Sequence, residues 1–197
     1  MPLGANKAAI MGVAGVSTGD VVLLLSQTAS GDSALSFTSG IDSTYGEYIF
    51  KFYNINPATD STKFQFNGST DGGSNYNLTK TTTWFDAGHT ESDSSAAIAY
   101  VAGLDLAQST DFQPIGSDVG NAGDESLAGE LHLFNPSSTT YVKHFYARTN
   151  YIHSADLKAD AFIGGYFNTT SDIDAVQFKM ASGNFDGKIK MWGVKNS

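Results

Sequence analysis

The stretch AVQFKMASGNFDGKIKMWGVK, Ala175 to Lys195, decides the fold. Val176, Phe178 and Met180 alternate with polar residues, and Lys188, Ile189, Lys190, Met191 and Trp192 alternate again after an Asn184–Phe185–Asp186–Gly187 segment that reads as a tight turn. Two half-buried strands at the end of a chain predict a terminal hairpin, with Val176, Phe178 and Met180 on one strand and Ile189, Met191 and Val194 on the other. Chain ends are normally the loosest part of a domain. An ending with an apolar face is therefore expected to be tied into a sheet and needed by it.

The same period of two recurs through the chain. In EYIFKFYNI (47–55), Tyr48, Phe50 and Phe52 share one face while Ile49, Lys51, Tyr53 and Ile55 share the other. TKFQFN (62–67) places Phe64 and Phe66 inward and Lys63 and Gln65 outward. GELHLF, the turn NPSS and TTYVKHFYARTNYIH predict a hairpin, with Leu131 and Leu133 opposite Tyr141, Lys143, Phe145 and Ala147 in alternation. VVLLLSQ, ALSFTSGI, YNLTKTTTWF, ADAFIGGYFN and DAVQFKMA read as further strands, and AAIAYVAG fits strand or helix. DAGHTESDSS reads as a polar, mobile segment, and residues 104–126, with Pro114 and several glycines, as a long surface loop with at most a short helix. About nine or ten short strands with no amphipathic helix predict an all-β antiparallel sandwich, jelly-roll-like. Residues 1–20, rich in Ala and Gly, are expected to form a flexible N-terminal arm, and residues 21–197 a single β-sandwich domain.

Composition narrows the function. The 197 residues carry a formal net charge of −9, and the 11 Lys and Arg are scattered, which argues against electrostatic binding to nucleic acid or anionic membranes. No cysteine is present, so disulfides, thiolate metal sites and a cysteine nucleophile are excluded. VVLLL is far below the length of a membrane span, and Gly12, Gly15 and Gly19 interrupt the apolar start. A cytosolic product without signal peptide or transmembrane segment is the expectation.

GIDSTYGEYIFKFYNINPATDSTKFQFNGSTDGGSNY, GELHLFNPSSTTYVKHFYAR and TTSDIDAVQFKMASGNFDGKIKMWGVK together resemble virion structural proteins of marine tailed bacteriophages. The likeness covers about Ile41 to Lys195. Trp192 stands where that group more often has Tyr. The resemblance implies a jelly-roll sandwich carried on the virion, made in the host cytoplasm. It implies a capsid decoration or cement protein, or a tail or fibre component, with no catalytic residue. The major capsid protein or other virion proteins are the implied partners. Self-association is expected, with a trimer as the first guess.

Several constellations invite chemistry. His132 and His144 share the predicted hairpin with Glu130 and Tyr146, a two-histidine face that would suit zinc or iron if a third ligand joined it. Asp71 with Asn75, and Asn121 with Asp124 and Glu125, offer oxygen ligands for calcium, although neither matches an EF-hand. His89 and His153 are isolated. Trp84, Phe85, Tyr53, Tyr76, Tyr146 and Tyr151 would stack on sugar rings if exposed. GVAGVSTGD lacks the lysine a phosphate loop requires. None of these patterns reaches the specificity of a site, so the expectation is no catalytic, cofactor-binding or metal residue and a non-enzymatic protein. The alternatives are a tail or fibre component binding host glycans and, more remotely, a small jelly-roll metalloenzyme on the His132 and His144 face.

Overall fold

The alternation of large apolar and polar side chains is realised as strands throughout residues 20–195, the part of the chain described by the computed structural model. In chain order these are β1 (Val21–Asp32), β2 (Ala34–Phe37), β3 (Tyr45–Pro57), β4 (Thr62–Ser69), β5 (Lys80–Thr90) and β6 (Ala96–Tyr100). They continue as β7 (Gln113–Val119), β8 (Leu127–Phe134), β9 (Lys143–His153), β10 (Leu157–Phe167), β11 (Ala175–Met180) and β12 (Phe185–Lys195). The fold is all-β, every pairing is antiparallel, and no helix occurs among the described residues. The expected N-terminal arm lies outside the described residues except for its last position.

The pairings are nested. β1 pairs β12, β2 pairs β11, β3 pairs β8 and β4 pairs β7, so the first half of the chain runs against the second half in reverse order. A long antiparallel ribbon wound on itself in this way is a jelly roll. One layer runs β2-β11-β4-β7. The other runs β1-β12-β3-β8 and is widened by β9, β10, β5 and β6, with β6 at the end. The layers meet where Val119 of β7 pairs His153 of β9.

The core lies between the layers and is built from phenylalanine. Phe178 of β11 has its ring 5.2 Å from both Phe50 and Phe52 of β3, and 6.1 Å from Phe37, Phe64 and Phe66. Phe66 in turn meets Phe145 at 5.1 Å and Phe167 at 6.0 Å, which extends the cluster under β9 and β10. Most of these contacts are edge-on or tilted, and Phe178 stacks displaced on Phe64 and Phe66, the arrangements that aromatic quadrupoles favour.

Five expectations need correction. The terminal strands do not form a hairpin: β11 pairs β4 and β2 in one layer, while β12 pairs β1 and β3 in the other. The chain crosses the sandwich through residues 181–184, and Phe185 is core rather than turn, because its ring is buried against Phe64. Gly187 (φ 137°) marks a bulge within β12 where the register shifts between Asp186 and Lys188. Residues 104–126 are not one surface loop but include β7, whose Gln113, Ile115 and Val119 are fully buried.

DAGHTESDSS is not a mobile segment throughout, since Asp86–Thr90 completes β5 beside β6 and β10. Ile55, assigned by alternation to the outer face, is buried at 0% exposure. A register shift between Phe52 and Ile55, with Asn54 at φ 50°, adds a residue and turns Ile55 inward.

Candidate functional site

The outer face of the wide layer carries nearly all the chemistry in cross-strand rows. One row runs Leu23, Trp192, Ile49, His132 and Tyr146 across β1, β12, β3, β8 and β9. The next runs Lys190, Lys51, Glu130, Arg148, Phe162, Phe85 and Tyr100, changing from charged to aromatic as it reaches β10, β5 and β6.

His132 is the centre of the first row. Its Nδ1 lies 2.5 Å from Glu47 Oε1, and its buried Nε2 lies 3.3 Å from Glu130 Oε1, at ion-pair distance but without hydrogen-bond alignment. Tyr146 stacks on the imidazole at 4.5 Å with a 16° interplanar angle, and Phe134 lies 6.4 Å away. Burial raises the Tyr146 phenol, and the Glu47 and Glu130 carboxylates add to the effect. His132 is thus held between two carboxylates under an aromatic lid.

His144 does not join it. Its ring faces Tyr166 at 6.1 Å, because register sets Tyr146, and not His144, opposite His132. Among the described residues no three His, Cys, Asp or Glu side chains come together in a way that could hold a metal ion. His89 pairs with Asp93 at 3.0 Å in an exposed turn, and His153 Nδ1 accepts from the Ala155 amide at 3.1 Å.

The calcium candidates spend their oxygens on their own loops. Asp71 accepts hydrogen bonds from Ser69 Oγ, the Asn75 amide and Asn75 Nδ2, and its carboxyl is lowered to about 2, mainly by Asn75 and then by Ser69. Glu125 Oε2 accepts from the Ala122 amide at 2.7 Å, while Asn121 Nδ2 donates to the Ala58 carbonyl at 3.4 Å.

Of the aromatic candidates, Trp84 and Tyr151 are core residues, and Tyr76 is half-buried. Tyr53, Phe85 and Tyr146 are exposed, but they sit on β3, β5 and β9. Neighbours in this set are separated by an intervening strand and offset along the strands, so they lie more than about 10 Å apart and make no single platform. Tyr53 instead borders an open groove of about 450 Å³ lined by Lys51, Glu130, Arg148, Asn150 and Asp160. Gly129 (φ 156°) forms part of its floor, where a Cβ would stand 2.3 Å from the Arg148 carbonyl oxygen. The walls are paired charges: Lys51 with Glu130 at 3.6 Å, and Asp160 with Arg148 at 3.5 Å and with Lys158 at 2.5 Å. Lys190 lies over the Tyr53 ring at 5.4 Å.

Two lysines are buried: Lys80, which the sequence did not single out, and Lys143, which its alternation put beside Phe145. Lys80 and Lys143 are wholly buried on either side of Phe167, to which both are register partners. Lys80 Nζ donates to the Asp111 carbonyl at 2.5 Å, and Lys143 Nζ to the Thr169 carbonyl at 3.2 Å. Burial depresses the Lys80 amine to about 7 and lowers that of Lys143, each opposed by a nearby aspartate. Closed from solvent, they fasten the loops after β6 and β10 rather than offer a nucleophile. A signal was present: in the alternation of Lys143, Phe145 and Ala147 the lysine occupies an inward position. The chain matches no protein-family model, no curated protein and no solved structure.

Proposed function

We propose that this chain is a non-enzymatic virion structural protein, a capsid decoration or cement protein that binds the capsid surface in many copies. The observation that carries this is the nested strand pairing of a jelly roll whose one layer is widened by β9, β10, β5 and β6. The widening adds a broad surface whose groove is open and walled by charges. It presents paired charges in its middle and exposed Phe85, Ile98 and Tyr100 at its margin, a mixture suited to contact with other proteins. The sequence resemblance to marine phage virion proteins supports the same function. Mechanistically, each copy would bury modest apolar and hydrogen-bonded surface against capsid proteins, and the shell would gain by their number.

Quantitative mass spectrometry of purified virions tests this. A copy number approaching that of the major capsid protein is expected, and absence from the particle would refute the proposal.

A second reading, a tail or fibre component that binds host glycans, draws on the groove beside Tyr53. Lys51, Glu130, Arg148, Asn150 and Asp160 would direct hydrogen bonds at sugar hydroxyls while Tyr53 packs on a ring. Retention on a glycan column that is lost on Tyr53→Ala would support it, and passage of the intact protein through every glycan tested would dismiss it.

A further inference from the structure

We propose that β6 is a self-pairing edge: two copies of the chain join antiparallel along Ala96–Tyr100 on a two-fold axis through Ile98, fusing their wide layers into one continuous sheet. Among the described residues β6 is bonded on one side only, to β5. The Val101 amide donates to the Trp84 carbonyl and the Thr90 amide to the Ser95 carbonyl, which fixes the phase of that ladder. Residues 95, 97, 99 and 101 therefore direct their amides and carbonyls at β5, and Ala96, Ile98 and Tyr100 direct theirs at the open edge. A partner strand must pair these outward residues with outward residues of its own.

A second copy satisfies this with no adjustment. Placing Ile98 against Ile98 sets Ala96 of each copy against Tyr100 of the other, and joins all outward groups in roughly six backbone hydrogen bonds. On the outer face each Tyr100 ring then lies beside an alanine methyl. The intervening close pairs set Ala97 against Ala99, both small.

Charge selects the same occupant. The chain carries a formal net charge of −9, so two copies repel across most of their surface, yet β6 has no charged side chain. The acidic turn before β6, with Glu91 and Asp93, lies outside the five residues that would pair. Ile98 is 79% exposed, Tyr100 56% and Phe85 45%, and Phe85 is already stacked on Phe162 at 5.0 Å. The joined edge would set Ile98 against Ile98 and Tyr100 beside Ala96 of the partner, narrowing the exposed part of this apolar margin.

The other free edges are guarded in the ways natural sheets use. β1 has register shifts after Leu23 and Ser30, and its Gln27 Nε2 is tied to the Ser36 carbonyl at 2.9 Å. β2 is only four residues long. β6 pairs without a register shift and carries no such device.

An edge of this size lies below that of permanent interfaces, so the dimer is expected to be concentration-dependent, with a micromolar dissociation constant. Sedimentation equilibrium of the full chain should show one chain giving way to two as concentration rises. Ile98→Lys should remove the dimer. Ile98→Pro should do the same without unfolding the hairpin, because the Ile98 amide makes no bond to β5. Hydrogen exchange should slow at the Ala96, Ile98 and Tyr100 amides with rising concentration, while Ala97 and Ala99 stay unchanged. A protein that remains monomeric up to about 1 mM would overturn the proposal. So would a dimer or trimer that both variants leave intact, or an oligomer whose Ile98 amide exchanges as fast as in the monomer.

Discussion

Phe178 lies within 6.1 Å, ring to ring, of Phe37, Phe50, Phe52, Phe64 and Phe66, and so joins both layers of the sandwich at one point. Truncation to alanine would leave a cavity that five other rings cannot all close, and Phe178→Ala is expected to cost about 3–5 kcal/mol in urea unfolding. Lys80 contributes in the opposite direction near neutral pH. Its amine is depressed to about 7 in the folded chain against 10.5 in the open chain, so between those values the unfolded state binds more protons. Stability therefore rises with pH from about 7 to about 10.5, by an amount on the order of a few kcal/mol, as the burial penalty on the charged amine is relieved. Lys80→Met should flatten that rise, and parallel pH profiles for the two proteins would show that the amine is not held neutral. The inward places of Phe50, Phe52, Phe64 and Phe66 were legible in the sequence because uninterrupted alternation fixes a strand's faces. Ile55 was not, because Asn54 sits in a bulge and one inserted residue reverses the faces that follow.

Among the elements, β12 is held on both sides, by β1 and by β3. Deleting residues 186–197 would strip a neighbour from each and leave Ile189 and Met191, now fully buried, out of the core. Loss of soluble expression is expected, and a truncated protein that stays soluble and unfolds cooperatively would contradict the role given to this strand. That the ending belongs inside a sheet was legible from its alternation, but its partners were not. Sequence proximity favours a hairpin, whereas residues 181–184 carry the chain across the sandwich. β7 was hidden for a different reason. Gln113 is fully buried only because its amide donates to the Leu104 and Pro114 carbonyls and its carbonyl accepts from Thr82 Oγ1 at 2.6 Å, partners that local pattern cannot reveal. The histidine face was misjudged in the same way: the hairpin of β8 and β9 was legible, but a register that opposes His132 to Tyr146 leaves His144 apart.

For the molecule as a whole, the net charge of −9 opposes contact between copies, and the proposed β6 edge is where that repulsion is weakest. β6 itself carries no charged side chain, while the groove near Tyr53 is walled by ion pairs, so salt should affect the two surfaces differently. Association through β6 should strengthen or hold as ionic strength rises, because screening weakens the repulsion between acidic chains. Sedimentation at low and high salt would check this, and dissociation on adding salt would point to a charged interface elsewhere. Immunogold electron microscopy of intact virions bears most directly on the proposed role. Label spread over the capsid is the result expected of a decoration protein, whereas label confined to the tail, or none on the particle, would contradict it.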